Sequence, residues 1–206
     1  MELRLLAGHP VLDFVNTIDP REGPDQVEHL TGFNDLVQWA QRAGVLNADE
    51  ARKAVREASG DARSSSRAFG RAIALRESLY GVFSAIAGRS PVPSEDVSEL
   101  QLAYREAIAH SSLIGTGGGF RWQLAGGLEA VRWHIARDAA ELLESENLRR
   151  VKQCPGSGDC GWLFLDRSKN ATRRWCSMEG CGNRAKLRRF LRRRKRRRTL
   201  GVGRRE

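Results

Sequence analysis

Apolar residues along most of this chain recur three and four positions apart, the spacing of a single helix face. Val11, Leu12, Phe14 and Val15, with Ile18 beyond them, predict a short helix beginning near Pro10, a residue tolerated in the first helical turn. Leu36, Val37, Ala40 and Ala43 predict a second helix over 35–43, capped by Asn34 and stopped at Gly44. Asn47 with Glu50 three residues on opens a third over 48–58, in the pattern of a capping box. Gly60 to Ser66 reads as a polar linker. Phe69, Ile73, Leu79, Tyr80, Phe83 and Ile86 then give the longest amphipathic run, 67–87, broken by Pro91 and Pro93. Ser94 caps a helix over 95–109 that turns Val97, Leu100, Tyr104 and Ile108 inward, and the aromatic residues of these runs read as core.

The periodicity changes at 111–125, where two short apolar runs flank Gly-Thr-Gly-Gly-Gly, a β-hairpin pattern. The glycines do not form a phosphate loop: there is no Gly-Lys-Ser/Thr and no strand–loop–helix order. A last helix of this part runs over 127–147, with Leu128, Val131, Ile135, Ala139, Leu142 and Leu143 on its apolar stripe. Three polar residues need an account. Asp13 and Asn16 share a helix face, so they either tie that helix to a neighbour or form a polar spot in a ligand pocket. His134 either meets Asp13 there or stays partly exposed, and His29, without a metal partner at useful spacing, reads as a surface residue.

All four cysteines fall late in the chain, as Cys154 and Cys160, then Cys176 and Cys181. Two close pairs separated by fifteen residues present four thiolates to one tetrahedral zinc. Pro155, Gly156, Ser157 and Gly158 make the first turn, and Gly180 and Gly182 flank the second, so that backbone N–H groups can point at sulfur. The start, Met1-Glu2-Leu3-Arg4, has no apolar leader, which predicts reduced thiols and metal rather than disulfides; neither pair has the C-x-x-C redox spacing. Four thiolates close the coordination sphere, so the zinc is expected to be structural. Gly161 to Leu165 reads as a strand, Asp166 to Thr172 as a turn and Arg173 to Cys176 as the return strand. Trp162 and Trp175 either bury against the metal or stack on single-stranded bases.

Charge divides the chain at the same place. From Arg149 to the end there are 20 Lys and Arg against 4 Asp and Glu, a net +16, whereas residues 1–148 carry a net −6. Eleven of the fifteen residues from Arg184 to Arg198 are Lys or Arg, a density that calls for an external polyanion, with phosphate backbone the commonest. Leu187, Phe190 and Leu191 form a stripe expected to pack on the zinc site. No apolar run is long enough to span a membrane.

Cys160-Gly-Trp-Leu-Phe-Leu-Asp166, Arg173-Arg-Trp-Cys-Ser-Met178 and the tetrapeptide Cys181-Gly182-Asn183-Arg184 resemble the CGNR zinc finger. Gly8-His-Pro-Val-Leu-Asp-Phe-Val-Asn-Thr17 and Trp39 to Leu46 resemble the ABATE-type helical domain that accompanies it. The first cysteine pair encloses five residues where the family pattern has four, and its glycine-rich loop absorbs the extra one. The resemblance implies a bacterial stress-induced transcription regulator, cytoplasmic and nucleoid-associated when bound.

The reading is therefore a mainly α chain. A helical regulatory domain with a small hairpin (1–148) precedes a treble-clef or ribbon-like finger ending in a basic helix (149–194) and a basic disordered tail (195–206). Cys154, Cys160, Cys176 and Cys181 would hold Zn2+. Arg173 and Arg174 would flank the helix start, and Arg184 would reach a guanine edge. Asn183 would bond a base or cap the helix, and Lys186, Arg188, Arg189, Arg192 and Arg193 would hold phosphates. The expected function is DNA binding by the finger, with the helical domain sensing a small-molecule effector or forming a homodimer. RNA binding is the alternative, and a protein adaptor or an enzyme in the helical domain stands in another class. No nucleophile–base pair, H-E-x-x-H or nucleotide loop points to an enzyme, so none is expected.

Overall fold

The computed structural model describes residues 4–156 and 160–201; Ser157 and Gly158 of the first turn, the residues before Arg4 and those after Gly201 lie outside the described residues. The order is α1 (Pro10–Val15), β1 (Ile18–Asp19), β2 (Val27–Glu28), α2 (Phe33–Arg42), α3 (Ala48–Gly60), α4 (Ala62–Gly88), α5 (Ser94–Ala109), β3 (Ser111–Thr116), β4 (Gly119–Leu124) and α6 (Ala130–Glu144). A 3-10 turn over Glu146–Arg150 leads into β5 (Val151–Gln153) and β6 (Leu163–Leu165), and a π turn over Met178–Gly182 leads into α7 (Asn183–Gly201). Helix α4 is the axis: α1, α2, α3, α5, α6, β5 and β6 all pack on it. Leu75, Leu79 and Phe83 of α4 and Phe14 of α1 are fully buried, each stabilising the core by about 1.5–3 kcal/mol.

Capping explains most boundaries, including those that depart from the sequence reading. Asn47 accepts from the Asp49 and Glu50 N–H groups while Glu50 returns a bond to Asn47 N–H, completing the capping box of α3. The stretch from Gly60 to Ser66 is not a linker: Asp61 accepts from Ser64 N–H at 2.9 Å, and α4 starts at Ala62, separated from the end of α3 by Asp61 alone. Asn34 lies inside α2, because Gly32 is the cap residue and Asp35 receives the Thr31 N–H and hydroxyl. On α5 the inward stripe is Leu100, Ala103 and Ala107, whereas Tyr104 and Ile108 are exposed. Small residues let α5 sit close: a Cβ on Gly81 of α4 would stand 1.8 Å from the Asp96 carboxylate. The hairpin β3–β4 matches expectation, with Leu113 opposite Trp122 and Ile114 opposite Arg121.

Large cations are also buried, which hydrophobic patterning does not announce. Arg76 is 1% exposed and bonds Thr17, both Glu28 oxygens and Glu77, while Arg21 pairs both its Nη atoms with Glu77 and lies over the Tyr80 ring. Arg132, 2% exposed, faces Glu99, Glu106 and Glu129. His134 Nε2 lies 3.4 Å from a Glu50 carboxylate oxygen and not against Asp13.

The finger does not hang from the helical body. Val151, Leu163 and Leu165 belong to the same hydrophobic core as α1 to α6. Asn16, fully inside this seam, donates from Nδ2 to Leu163 O at 2.8 Å and accepts from Leu163 N–H at 2.9 Å. Of the two readings for this residue, the tie to a neighbour holds, because both ends of its amide are spent on β6. The boundary at 148/149 therefore cuts through one core. Replacing Asn16 with Leu should strand the Leu163 N–H and C=O in a dry seam and cost about 2–4 kcal/mol. Urea unfolding should show the midpoint falling with the slope unchanged, and Asn16→Asp, which still accepts, should recover part of the loss.

Candidate metal centre and nucleic-acid interface

The four cysteine sulfurs lie within 4.8 Å of one another, and all four residues are buried. Cys160 and Cys176 are 3.7 Å apart at sulfur, Cys176 and Cys181 3.6 Å. Four sulfurs about 2.3 Å from a central zinc stand about 3.8 Å from each other in a tetrahedron, against about 2.0 Å for a disulfide. The donor set thus fits one zinc ion. Backbone N–H groups of Gly156 and Cys176 face Cys154, and that of Trp162 faces Cys160, as the glycine-rich turns imply. Thiols this close cannot all ionise without a cation. Hydrogen bonds from Cys160 and Cys176 hold Cys154 down at about 2, while those same two thiols are pushed well above the ordinary value.

Strand β6 builds the floor of the centre. Its neighbours alternate in direction: Leu163 and Leu165 enter the helical core, while Trp162 and Phe164 pack with the cysteines. Its partner is β5, with Val151 opposite Leu165 and Gln153 opposite Leu163. The expected return strand at Arg173 to Cys176 does not form. Side chains satisfy that segment instead: Arg173 N–H donates to Asp166 Oδ2 at 2.9 Å, and its guanidinium donates to the carbonyls of Leu6, Trp175 and Cys176. Asp166 is fully buried and gathers Lys152 Nζ at 2.6 Å with the Ser168 N–H and hydroxyl. Burial raises its pKa, but the bonds from Lys152 and Ser168 outweigh that and hold the carboxyl below the usual range. Lys152 and Asp166 were not singled out from the sequence; the signal available was one carboxylate in an otherwise apolar strand end.

The basic residues divide into two groups. Arg173, its guanidinium also over the Phe164 ring at 4.5 Å, staples the knuckle and does not project from it. Arg184 directs Nη2 at Cys181 Sγ, 3.1 Å away, so this arginine serves the metal ligand. Asn183 is exposed with helical dihedrals, and its N–H donates to the Gly180 and Met178 carbonyls; Ser177 is the capping residue, its hydroxyl oxygen accepting from Gly180 N–H. Arg174, Lys186, Arg188, Arg189, Arg192 and Arg193 are exposed on or beside α7. Leu187, Phe190 and Leu191 do not pack on the zinc site: they are 59%, 60% and 51% exposed, because α7 touches the π turn and then leaves the body. The α7 backbone stays helical to Gly201, where an unfolded tail was expected from residue 195. Asp13 Oδ1 accepts from Ala7 N–H at 2.9 Å, closing the N-terminal segment over α1, and burial raises its pKa to about 6.

Zinc assay should give one ion per chain, and Cys181→Ser should lose it. Because β6 is shared, metal loss should lower the thermal midpoint of the helical signal as well, in one transition. A finger that melted alone, leaving the helices at their original midpoint, would contradict the shared core. Asp13 supplies a pH test. Its folded pKa exceeds its unfolded value, so the folded state binds the extra proton, and stability rises as pH falls from above about 6 towards 4. Denaturation of Asp13→Asn should lack that rise and leave the variant at least as stable as the parent at pH 7.

Among the described residues no helix is long and apolar enough to cross a membrane. No protein of curated function matches the sequence. Residues 150–194 match the family model described as "CGNR zinc finger", which with the sulfur geometry makes the centre a structural zinc site. Residues 8–146, more than half of the chain, match the model named ABATE, described as "Putative stress-induced transcription regulator". The chain belongs to the ABATE family and carries a CGNR zinc finger at its C-terminal end.

Proposed function

We propose that this protein is a zinc-dependent DNA-binding transcription regulator, in which the finger presents α7 to the duplex and the helical body supplies the regulatory input. The observation that carries the reading is the projection of α7: among the described residues it packs chiefly on the π turn at the metal, and Lys186, Arg188, Arg189, Arg192, Arg193 and Arg194 stand exposed along it. A cationic helix whose described side chains are mostly exposed is explained by a polyanionic partner, whose phosphates neutralise charges that otherwise repel one another. The family description, a transcription regulator, supports DNA as that partner. The shared core supports the second half of the reading, since a ligand or second subunit that strains α1 or α4 strains β6 directly. The role is binding, not catalysis; Asp13, the one strongly perturbed carboxyl of α1, is engaged by the backbone.

The test is fluorescence anisotropy of zinc-loaded protein against labelled duplex DNA across a salt series. The logarithm of affinity should fall linearly with that of salt, with a slope of roughly −0.9 per phosphate contacted. Arg189→Ala and Arg193→Ala should each flatten the slope by about one contact and weaken all sequences alike. Absence of duplex binding at low salt, or a consistent preference for RNA competitor, would overturn DNA as the partner.

A further inference from the structure

The two tryptophans of the finger have different fates. Trp162 is buried, and its indole N–H donates to Ile18 O at 3.2 Å. Trp175 is only half-buried: part of its ring covers the cysteine cluster, and the rest lines a cavity of about 550 Å3. The other walls are Gly156 of the first cysteine turn and Ala185, Arg188, Leu191 and Arg192 of α7. Positions 185, 188 and 192 fall on one face of the helix, which is the face turned back towards the metal. Indole, Ala185 and Leu191 make the slot apolar, and two guanidinium groups edge it. Gly182 lies beside the ring and leaves room for Met178, whose Sδ a Cβ at that position would meet at 2.9 Å.

We propose that this slot takes one unpaired nucleobase of a DNA duplex, stacked on Trp175 with its phosphate held by Arg188 and Arg192. The inference rests on the DNA reading of α7 and adds the form of DNA recognised. A flat aromatic ring joined to an anionic phosphate matches an apolar slot edged by guanidinium groups, and base–indole stacking tolerates any base. Within an intact duplex both faces of each base are covered by its neighbours, so only a base outside the stack can enter. The occupant is placed in a duplex because α7, at nineteen residues, extends roughly 28 Å, the reach of a groove contact over several base pairs.

The experiment compares three DNAs of equal length by anisotropy with the full zinc-loaded chain: a perfect duplex, the same duplex with one extra unpaired nucleotide, and that bulge made abasic. The bulged duplex should bind roughly tenfold more tightly than the perfect one, and the abasic bulge, equally flexible and equally charged, should lose the gain. Trp175→Leu, which keeps an apolar cover on the cysteines, should abolish the gain while perfect-duplex affinity and zinc content stay as in the parent. Ala185→Phe, which plugs the slot from the helix wall, should do the same and guards against misfolding of the first variant. Equal binding of all three DNAs, or a gain that survives the abasic bulge or both variants, overturns the slot and leaves the α7 reading standing. Absence of binding to any of the three overturns both.

Discussion

Strand β6 is the constraint on which both halves of the molecule depend. It is three residues long, and each of its faces is buried in a different core, helices on one side and a thiolate cluster on the other. A two-stranded sheet of this size does not persist alone in water. Its edges are therefore closed from both directions: β5 pairs one, while Ala7 O accepts from Leu165 N–H at 2.7 Å and Asn16 takes both polar groups of Leu163 on the other. Metal binding contributes folding free energy of roughly 10–16 kcal/mol in isolated finger peptides, and here that energy enters the same strand that completes the helical core. Finger and body consequently share one stability.

Charge is handled differently at the two ends. In the body, Arg21, Arg76 and Arg132 are buried, and each is answered by at least one carboxylate from another part of the chain, so part of the acidic excess is consumed internally. Such pairs add little net stability compared with an apolar core, but losing one partner leaves a costly buried charge, and this fixes how β2, α4, α5 and α6 sit together. At the C-terminal end the described arginines of α7 from Arg188 to Arg194 stand exposed rather than buried among carboxylates. A helix this cationic is a poor candidate to nucleate itself. The π turn supplies the nucleus: Cys181 is held at the metal, Ser177 caps the turn, and the first residues of α7 inherit a set direction.

Where periodicity, caps and spacing act locally, the structure was legible. The metal ligands followed from cysteine spacing, α3 from its capping box and the hairpin from its change of period. What was hidden depends on partners distant in sequence. Asn16 and Leu163 stand 147 residues apart, and no local pattern announces an amide that will bracket a strand. Arg173 was read as a return-strand residue facing nucleic acid because its neighbours look extended; its guanidinium instead replaces the ladder by bonding three carbonyls. The inward stripe of α5 was set one position away because Ala103 and Ala107, small enough for close helix contact, weigh less in a hydrophobic pattern than Tyr104 and Ile108.

Arg184 shows why the metal site and the proposed DNA contact of the finger cannot be assigned independently. Zinc with four thiolates carries a net charge of −2, and a duplex brought to α7 adds phosphates nearby, so the two anions repel unless cations stand between them. Arg184 is placed at that position: the second residue of α7, with Nη2 on Cys181 Sγ. A guanidinium held by a ligand sulfur cannot swing freely to the edge of a guanine, which demands both donors of its fork. On the proposed DNA reading, discrimination between sequences would have to arise elsewhere, in DNA shape or in whatever occupies the slot beside Trp175, while Arg184 would screen the metal from the phosphate charge brought to the rest of the helix.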